Sequence, residues 1–233
     1  MGKYKKYFIG FLMLVGIFLI LEYKFHVTNT IQSWGLPLAG NTIVLDPGHG
    51  GPDGGAVSGD LVEKDVALAI SLKVRDYLSE QGVFVVMTRE TDTDLAAEDT
   101  HGLSRRKTED LHKRLEILNG SEADLFVSVH LNALPQSQYR GAQTFYNMHN
   151  ETSEMFAKQL QASFKRNLGN TNRMAKPIQN IYLIKNAEIP GALAEVGFLS
   201  NESERELLKD PKYQDKVAFA IYEAIATYLQ EEK

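Results

Sequence analysis

Two histidines and two glutamates have the types and the surroundings for metal-dependent hydrolysis. His49 sits in the glycine-rich turn VLDPGHGGPDGG, Val44 to Gly55, directly after a strand-like run. Glu63 opens the stretch that follows, His130 ends the apolar run DLFVSVH, and Glu195 lies inside GALAEVGF. Two imidazoles and one carboxylate form a common catalytic zinc set, with water in the fourth place. A further glutamate off the metal can act as general base for that water. Each group also has a plainer reading. Glu63 suits a helix N-terminus, where the macrodipole favours an acid, and Asp60 and Asp65 are near enough to replace it as the carboxylate ligand. His130 suits a hydrogen-bonded structural role. Glu195 is the hardest to explain structurally, because a carboxylate in an apolar run is costly unless paired or functional. His26, His101, His112 and His149 read as ordinary polar residues of loops and helix faces.

The same glycine turn invites a phosphate reading, and spacing rejects it. A P-loop needs Gly-Lys followed by Ser or Thr, which occurs nowhere in the chain. The dinucleotide fingerprint fits at Gly48 and Gly50 but meets Asp53 at its third position, and an acid there repels a pyrophosphate. The glycines then serve a tight turn that brings His49 to a fixed point.

The elements that must position these groups follow from periodicity. Asn41–Asp46 reads as a strand entering the turn. EKDVALAISLKVRDYLSEQG puts Val66, Ile70, Val74 and Tyr77 on one stripe, a helix stopped at Gly82. Val83–Thr88 is a strand, Thr91–Thr108 a long polar loop, and EDLHKRLEILN a helix with Leu111, Leu115 and Leu118 on one face. Asp124–His130 and Ala142–Asn147 follow as strands and Ser153–Leu168 as an amphipathic helix. NIYLIKN and GALAEVGF are expected to be strands, and Lys216–Gln230 a closing helix. This alternation predicts an α/β fold with a mainly parallel, twisted sheet of about six strands and helices on both faces. Ligands of such open sheets bind beyond the carboxyl ends of the strands, where His49, Glu63, His130 and Glu195 converge.

Composition excludes several functions. The chain has 233 residues, a formal net charge of −5 and no cysteine. No basic patch favours nucleic acid, and no thiol nucleophile, disulfide or Cys-based zinc site exists. Glycosylation sequons at Asn119, Asn150 and Asn201 read as chance matches. The N-terminus differs from the rest. Lys3, Lys5 and Lys6 precede an uncharged run, Tyr7 to Leu21, slightly shorter than the roughly 20 residues of a membrane span. Tyr4 and Tyr23 suit the interfaces, and no small-residue cleavage site follows. We expect residues 1–25 to be an apolar anchor helix, an uncleaved signal anchor; a cleaved signal peptide is the other reading. Residues 26–40 are then a linker and 41–233 the catalytic domain, exported and membrane-anchored or secreted. Cytosolic nucleotides are out of reach there.

Four motifs in order and spacing, VLDPGHGGPDGGA, EKD, ADLFVSVHLNA and AEVGFLSN, resemble the zinc-dependent N-acetylmuramoyl-L-alanine amidases of bacterial cell walls. The resemblance covers nearly all of residues 41–230. The leader, MTRETDTDLA, the loop to Arg106 and IYLIKN are most similar to the germination-specific spore-cortex members. It implies one zinc ion on His49, Glu63 and His130, with Glu195 as the catalytic glutamate. It implies peptidoglycan glycan-peptide strands as substrate and a place in the forespore intermembrane space. There the cut at the amide between muramic acid and L-alanine would prepare muramic-δ-lactam, with ring closure by another enzyme. Asn132 either orients a ligand, touches substrate or caps its strand end. Leu111 and Arg114 match the family's Leu-x-x-Arg helix, but the link to it from Thr88-Arg89 is long here, which bears on the cleft and on activation by a partner protein. The rivals are a wall-binding module without catalysis and a metal-dependent deacetylase or peptidase of the wall.

Overall fold

The computed structural model describes residues 12–20, 22 and 36–231. Of the expected anchor, residues 12–20 and 22 are helical with largely exposed side chains; the rest of it, and the linker up to residue 35, lie outside the described residues. Among the described residues no helix is long and apolar enough to cross a membrane.

The core is a six-stranded sheet. Strand β1 (Thr42–Pro47) leads through the glycine turn to a small hairpin, β2 (Val57–Ser58) and β3 (Leu61–Val62), and then to α1 (Glu63–Glu80). β4 (Phe84–Met87), α2 (Leu103–Gly120), β5 (Leu125–Asn132), β6 (Gln143–Tyr146) and α3 (Glu151–Leu168) follow. β7 (Lys176–Pro177), α4 (Tyr182–Asn186), β8 (Gly191–Phe198), α5 (Glu202–Lys209) and α6 (Pro211–Glu231) complete the order. The strands run β4-β1-β5-β8-β6-β7, and every neighbouring pair is parallel except β6 with β8. The α/β class, the mainly parallel sheet and its six strands agree with the sequence reading.

Side-chain alternation along the central strands separates two apolar layers. Ile43, Leu45, Val127, Val129, Ala192 and Ala194 face the larger one, shared with Val66, Ile70 and Val74 of α1, Phe156 and Leu160 of α3, and Ile221 of α6. Val44, Phe126 and Leu193 face the other, shared with Leu118 of α2 and with Leu183 and Ile184 of α4. Helices thus cover both faces.

Two expectations differ. NIYLIKN is not a strand: Tyr182–Asn186 is a short helix, closed by Lys185 N–H to Ile181 O at 3.0 Å and Ala187 N–H to Leu183 O at 2.9 Å. A four-residue apolar run fits either element, and here burial of Leu183 and Ile184 together against the sheet face decides for the helix. The sixth strand is instead β7, a two-residue pairing with β6. The polar loop is also shorter than expected. α2 begins at Leu103, after Gly102 at φ 90°, so residues 103–108 are helical. Two of the sequons have structural work: the Asn150 and Asn201 side chains accept from Ser153 N–H and Glu204 N–H as helix N-caps.

Candidate metal centre

Parity along the strands aims the polar groups. Asp46, Ser128, His130 and Glu195 continue the rows of Val44, Phe126 and Leu193, on the smaller layer's side, at the carboxyl ends of β1, β5 and β8. His130 and Glu195 are register partners on adjacent strands, as are Asp46 and Ser128.

The turn after β1 is held from behind by two buried arginines. Arg89 donates through Nε to Pro47 O (3.0 Å) and through Nη2 to Gly48 O (2.9 Å) and Lys64 O (2.8 Å). Arg114 donates through Nη1 to Pro47 O (2.7 Å) and through Nη2 to His49 O (2.5 Å). These carbonyls flank His49 on both sides and follow Glu63. His49 itself has φ 60°, a left-handed conformation uncommon outside glycine. Arg114 is neutralised by Asp46 at 2.7 Å and Asp110 at 2.8 Å. Asp46 also accepts from Ser128 Oγ (2.5 Å) and Thr88 Oγ1 (2.7 Å). Burial pushes the Asp46 carboxyl up, but the Arg114 charge and the two hydroxyls outweigh it and hold it below the usual carboxylate range.

His49, Glu63 and His130 meet above this clamp, each offering a ligand atom within 4.8 Å of the others. Glu63 is buried at the start of α1. Its Oε1 accepts from Leu131 N–H and faces His130 Nδ1, both at 2.9 Å; its Oε2 accepts from Ala56 N–H at 2.7 Å and lies 3.3 Å from His49 Nε2. Two backbone donors therefore fix the carboxylate while the imidazoles approach it. Neither Asp60 nor Asp65 takes its place: Asp60 pairs with Lys209 at the surface, and the ligand group contains Glu63. Two glycines make room. A Cβ on Gly48 would run into the His130 ring, and one on Gly55, at φ 68°, would crowd both Glu63 Oε2 and His49. Among the described residues the other histidines, His101, His112 and His149, stay outside the group, and His26 lies outside the described residues; His112 lies beside Tyr182 with ring centroids 5.3 Å apart.

Asp53 completes the set. Its Oδ2 accepts from His49 Nδ1 at 2.8 Å, which leaves Nε2 free to face Glu63 and His130, and Lys107 Nζ lies 2.9 Å from the same oxygen. Burial opposes charge on His49, but Glu63 and Asp53 outweigh it and raise its pKa. Burial likewise opposes the Glu63 anion, and the two imidazoles overcome it and lower its pKa. The centre thus favours positive charge at the point where the three ligand atoms converge. Two imidazoles, a doubly anchored carboxylate and an outer carboxylate fixing one ring fit a zinc ion.

Glu195 stands apart from the ligands. Its Oε2 is buried without a hydrogen-bond partner among the described residues. Burial raises its pKa to about 7; His130 and His49 pull it down and Glu63 pushes it up. All four groups line one cleft of about 470 Å³, together with Asn132, Lys107, Leu111 and Tyr182. Asn132 O accepts from Leu199 N–H at 2.8 Å, so its backbone ties the strand end while the residue lines the cleft.

The four residues singled out in the sequence, His49, Glu63, His130 and Glu195, line this one cleft. The sequence reading gave no role to Asp53, Arg89, Arg114 or Lys107. Asp53 was legible only as a misfit in a phosphate loop, four residues after His49. The arginines act through carbonyls far away in sequence, which no spacing reveals.

The N-acetylmuramoyl-L-alanine amidase family model matches residues 43–227. The germination-specific N-acetylmuramoyl-L-alanine amidase of Bacillus subtilis is 54% identical over 229 residues, 98% of this chain and 95% of the relative. The amidase LytC of the same organism is 34% identical over 87% of this chain and 38% of its own length. Among solved structures, the CwlD amidase of Clostridioides difficile, in complex with the GerS lipoprotein, superposes with a TM-score of 0.80 at 45% identity, covering 82% of this chain and 99% of that one. A second clostridial N-acetylmuramoyl-L-alanine amidase gives a TM-score of 0.74 at 30% identity over 84% of this chain and 100% of that one. Motif, fold and match extent agree, and the chain belongs to the N-acetylmuramoyl-L-alanine amidase family.

Proposed function

We propose that this amidase hydrolyses the amide between N-acetylmuramic acid and L-alanine in spore-cortex peptidoglycan, with one zinc ion on His49, Glu63 and His130. The observation that carries the reading is the unpartnered Glu195 Oε2 beside the His-Glu-His group, in the same cleft. When bound, zinc supplies Lewis-acid polarisation of the lactyl carbonyl and acidifies water. Glu195 orients the attacking water, takes its proton at Oε2 and passes it to the alanine nitrogen as the C–N bond breaks. A carboxyl with a pKa raised to about 7 suits both halves of that transfer near neutral pH. Asp53 holds the His49 ring, and Arg89 and Arg114 hold the backbone that carries it. The stem peptide leaves with a free L-alanine amino end.

Cortex as the substrate follows the 54% identical germination-specific relative. The cut then precedes lactam formation by another enzyme. Peptidoglycan lies outside the cytoplasm, which favours residues 1–25 as an export signal anchor, 26–40 as a linker and 41–233 as the catalytic unit in the forespore intermembrane space. A protein partner, as in the clostridial complex with a lipoprotein, is part of the proposal. A wall-binding module would have no use for Glu195 in this environment. Mass spectrometry of digested cortex separates the remaining chemistries. Stem peptides with free L-alanine amino ends support the amidase; released acetate, or cuts within the stem, would replace it with a deacetylase or peptidase.

A further inference from the structure

The long segment between β4 and α2 is not loose. Arg106 grips Asp94 through Nε (2.8 Å) and Nη2 (2.6 Å) and donates through Nη1 to Ala97 O and Thr100 O, both at 2.9 Å. Glu109 accepts from Ala97 N–H (3.0 Å) and Thr100 Oγ1 (2.5 Å), and Asp110 accepts from Leu95 N–H (2.9 Å). The first turns of α2 are therefore tied to residues 94–100. Between the anchors, Lys107 turns to the cleft and lies 2.9 Å from Asp53 Oδ2 with 47% of its side chain exposed. Lys107 and Arg114 are the lysine and arginine side chains that line the cleft. Arg114 is sealed, its side chain 2% exposed and paired with Asp46 and Asp110. Lys107 alone of the two presents an ammonium to solvent, and an ammonium has three donors.

We propose that Lys107 forms a carboxylate subsite at the cleft mouth and recognises the free carboxylate of the stem peptide next to the bond that is cut. This rests on the amidase reading. Lys107 is two hydrogen bonds, 2.9 and 2.8 Å, from His49 Nδ1 through Asp53. In the substrate, L-alanine is followed by a glutamate joined through its side chain, so its α-carboxylate stays free. It lies one peptide unit beyond the alanine nitrogen, about 4 Å from one Cα to the next. A group so close to the scissile nitrogen lies in the same cleft that Lys107 shares with His49, Glu63 and His130. Asp46 and Asp110 are paired with Arg114, whereas Asp53 and Glu195 also line the cleft and disfavour an incoming carboxylate; Lys107 is the exposed cationic side chain that offsets them.

The test gives the full-length, zinc-loaded chain two synthetic substrates, N-acetylmuramoyl-L-alanyl-D-glutamate with its α-carboxylate free and the same compound as the α-carboxamide. The readout is the ratio of their kcat/KM values. The wild type is expected to prefer the free acid about five- to tenfold, mainly through KM, as befits a partly exposed charged hydrogen bond. Lys107→Met should bring the ratio near one, and Lys107→Arg should retain the preference. A wild-type ratio near one, or a Lys107→Met variant that keeps the wild-type ratio while both rates fall, overturns the subsite and leaves the amidase reading standing; the second result makes Lys107 a support for Asp53. If the wild type cuts neither compound nor cortex, the amidase reading falls and the subsite with it.

Discussion

Replacing Arg114 by Met keeps the side-chain stem and removes the guanidinium from beneath the His49, Glu63 and His130 group. Four groups lose a close donor: Asp46 at 2.7 Å, Asp110 at 2.8 Å, Pro47 O at 2.7 Å and His49 O at 2.5 Å. Asp110 keeps Leu95 N–H, and Asp46 keeps Ser128 and Thr88, but the buried Asp46 charge loses its counter-charge. Breaking one side of a buried ion pair costs about 3–5 kcal/mol, a large part of the roughly 5–15 kcal/mol that holds a domain folded. The pH dependence is specific. In the wild type the folded pKa of Asp46 is lowered, so its contribution is present above the unfolded value and lost as pH falls through the folded one. In the variant, burial dominates and raises the folded pKa, so the charged form costs stability as pH rises. The deficit of Arg114→Met in urea unfolding should be large at pH 7 and shrink toward pH 4.5. Adding Asp46→Asn to the variant should recover stability by removing the orphaned charge. A deficit below about 1 kcal/mol, the scale of an exposed pair, or one equal at both pH values, would refute the clamp.

Asp53→Ala should weaken zinc binding about 10- to 100-fold, measured by chelator competition, with a urea midpoint close to wild type because Asp53 is partly exposed. Gly48→Ala probes contact rather than backbone strain, since the atoms nearest the new Cβ are those of the His130 ring; zinc affinity should fall at least about tenfold, the scale seen when a group that orients a ligand is disturbed, and unchanged affinity would remove the glycine's assigned role. In the metal-free protein the folded pKa of Glu195, about 7, stands above a glutamate's ordinary 4.5, so the carboxyl costs stability as pH rises between them. Glu195→Gln should abolish that slope in urea unfolding, a difference on the order of 3 kcal/mol at pH 8.

The site was largely legible because strand parity is strict. His130 and Glu195 end or interrupt apolar strands, and a charged residue at a buried parity is a local signal. His49 and Glu63 bracket the connection from β1 to α1, so chain order alone put them at the same sheet edge. What escaped depends on tertiary contact. The helix at Tyr182–Asn186 is decided by the face it covers, not by its residues. The start of α2 was hidden because Leu103–Thr108 is polar; its order comes from Arg106 reaching back to Asp94. Arg89 and Arg114 bond to main-chain oxygens, and a carbonyl carries no residue identity for a sequence to display.

The most direct measurement compares wild type and Glu195→Gln on purified cortex, with bound zinc determined on the same samples. One zinc per chain is expected in both, with free L-alanine amino ends from the wild type only and loss of those ends when a chelator strips the metal. Turnover by Glu195→Gln at the wild-type rate, or turnover by a wild type that holds no zinc, would contradict this.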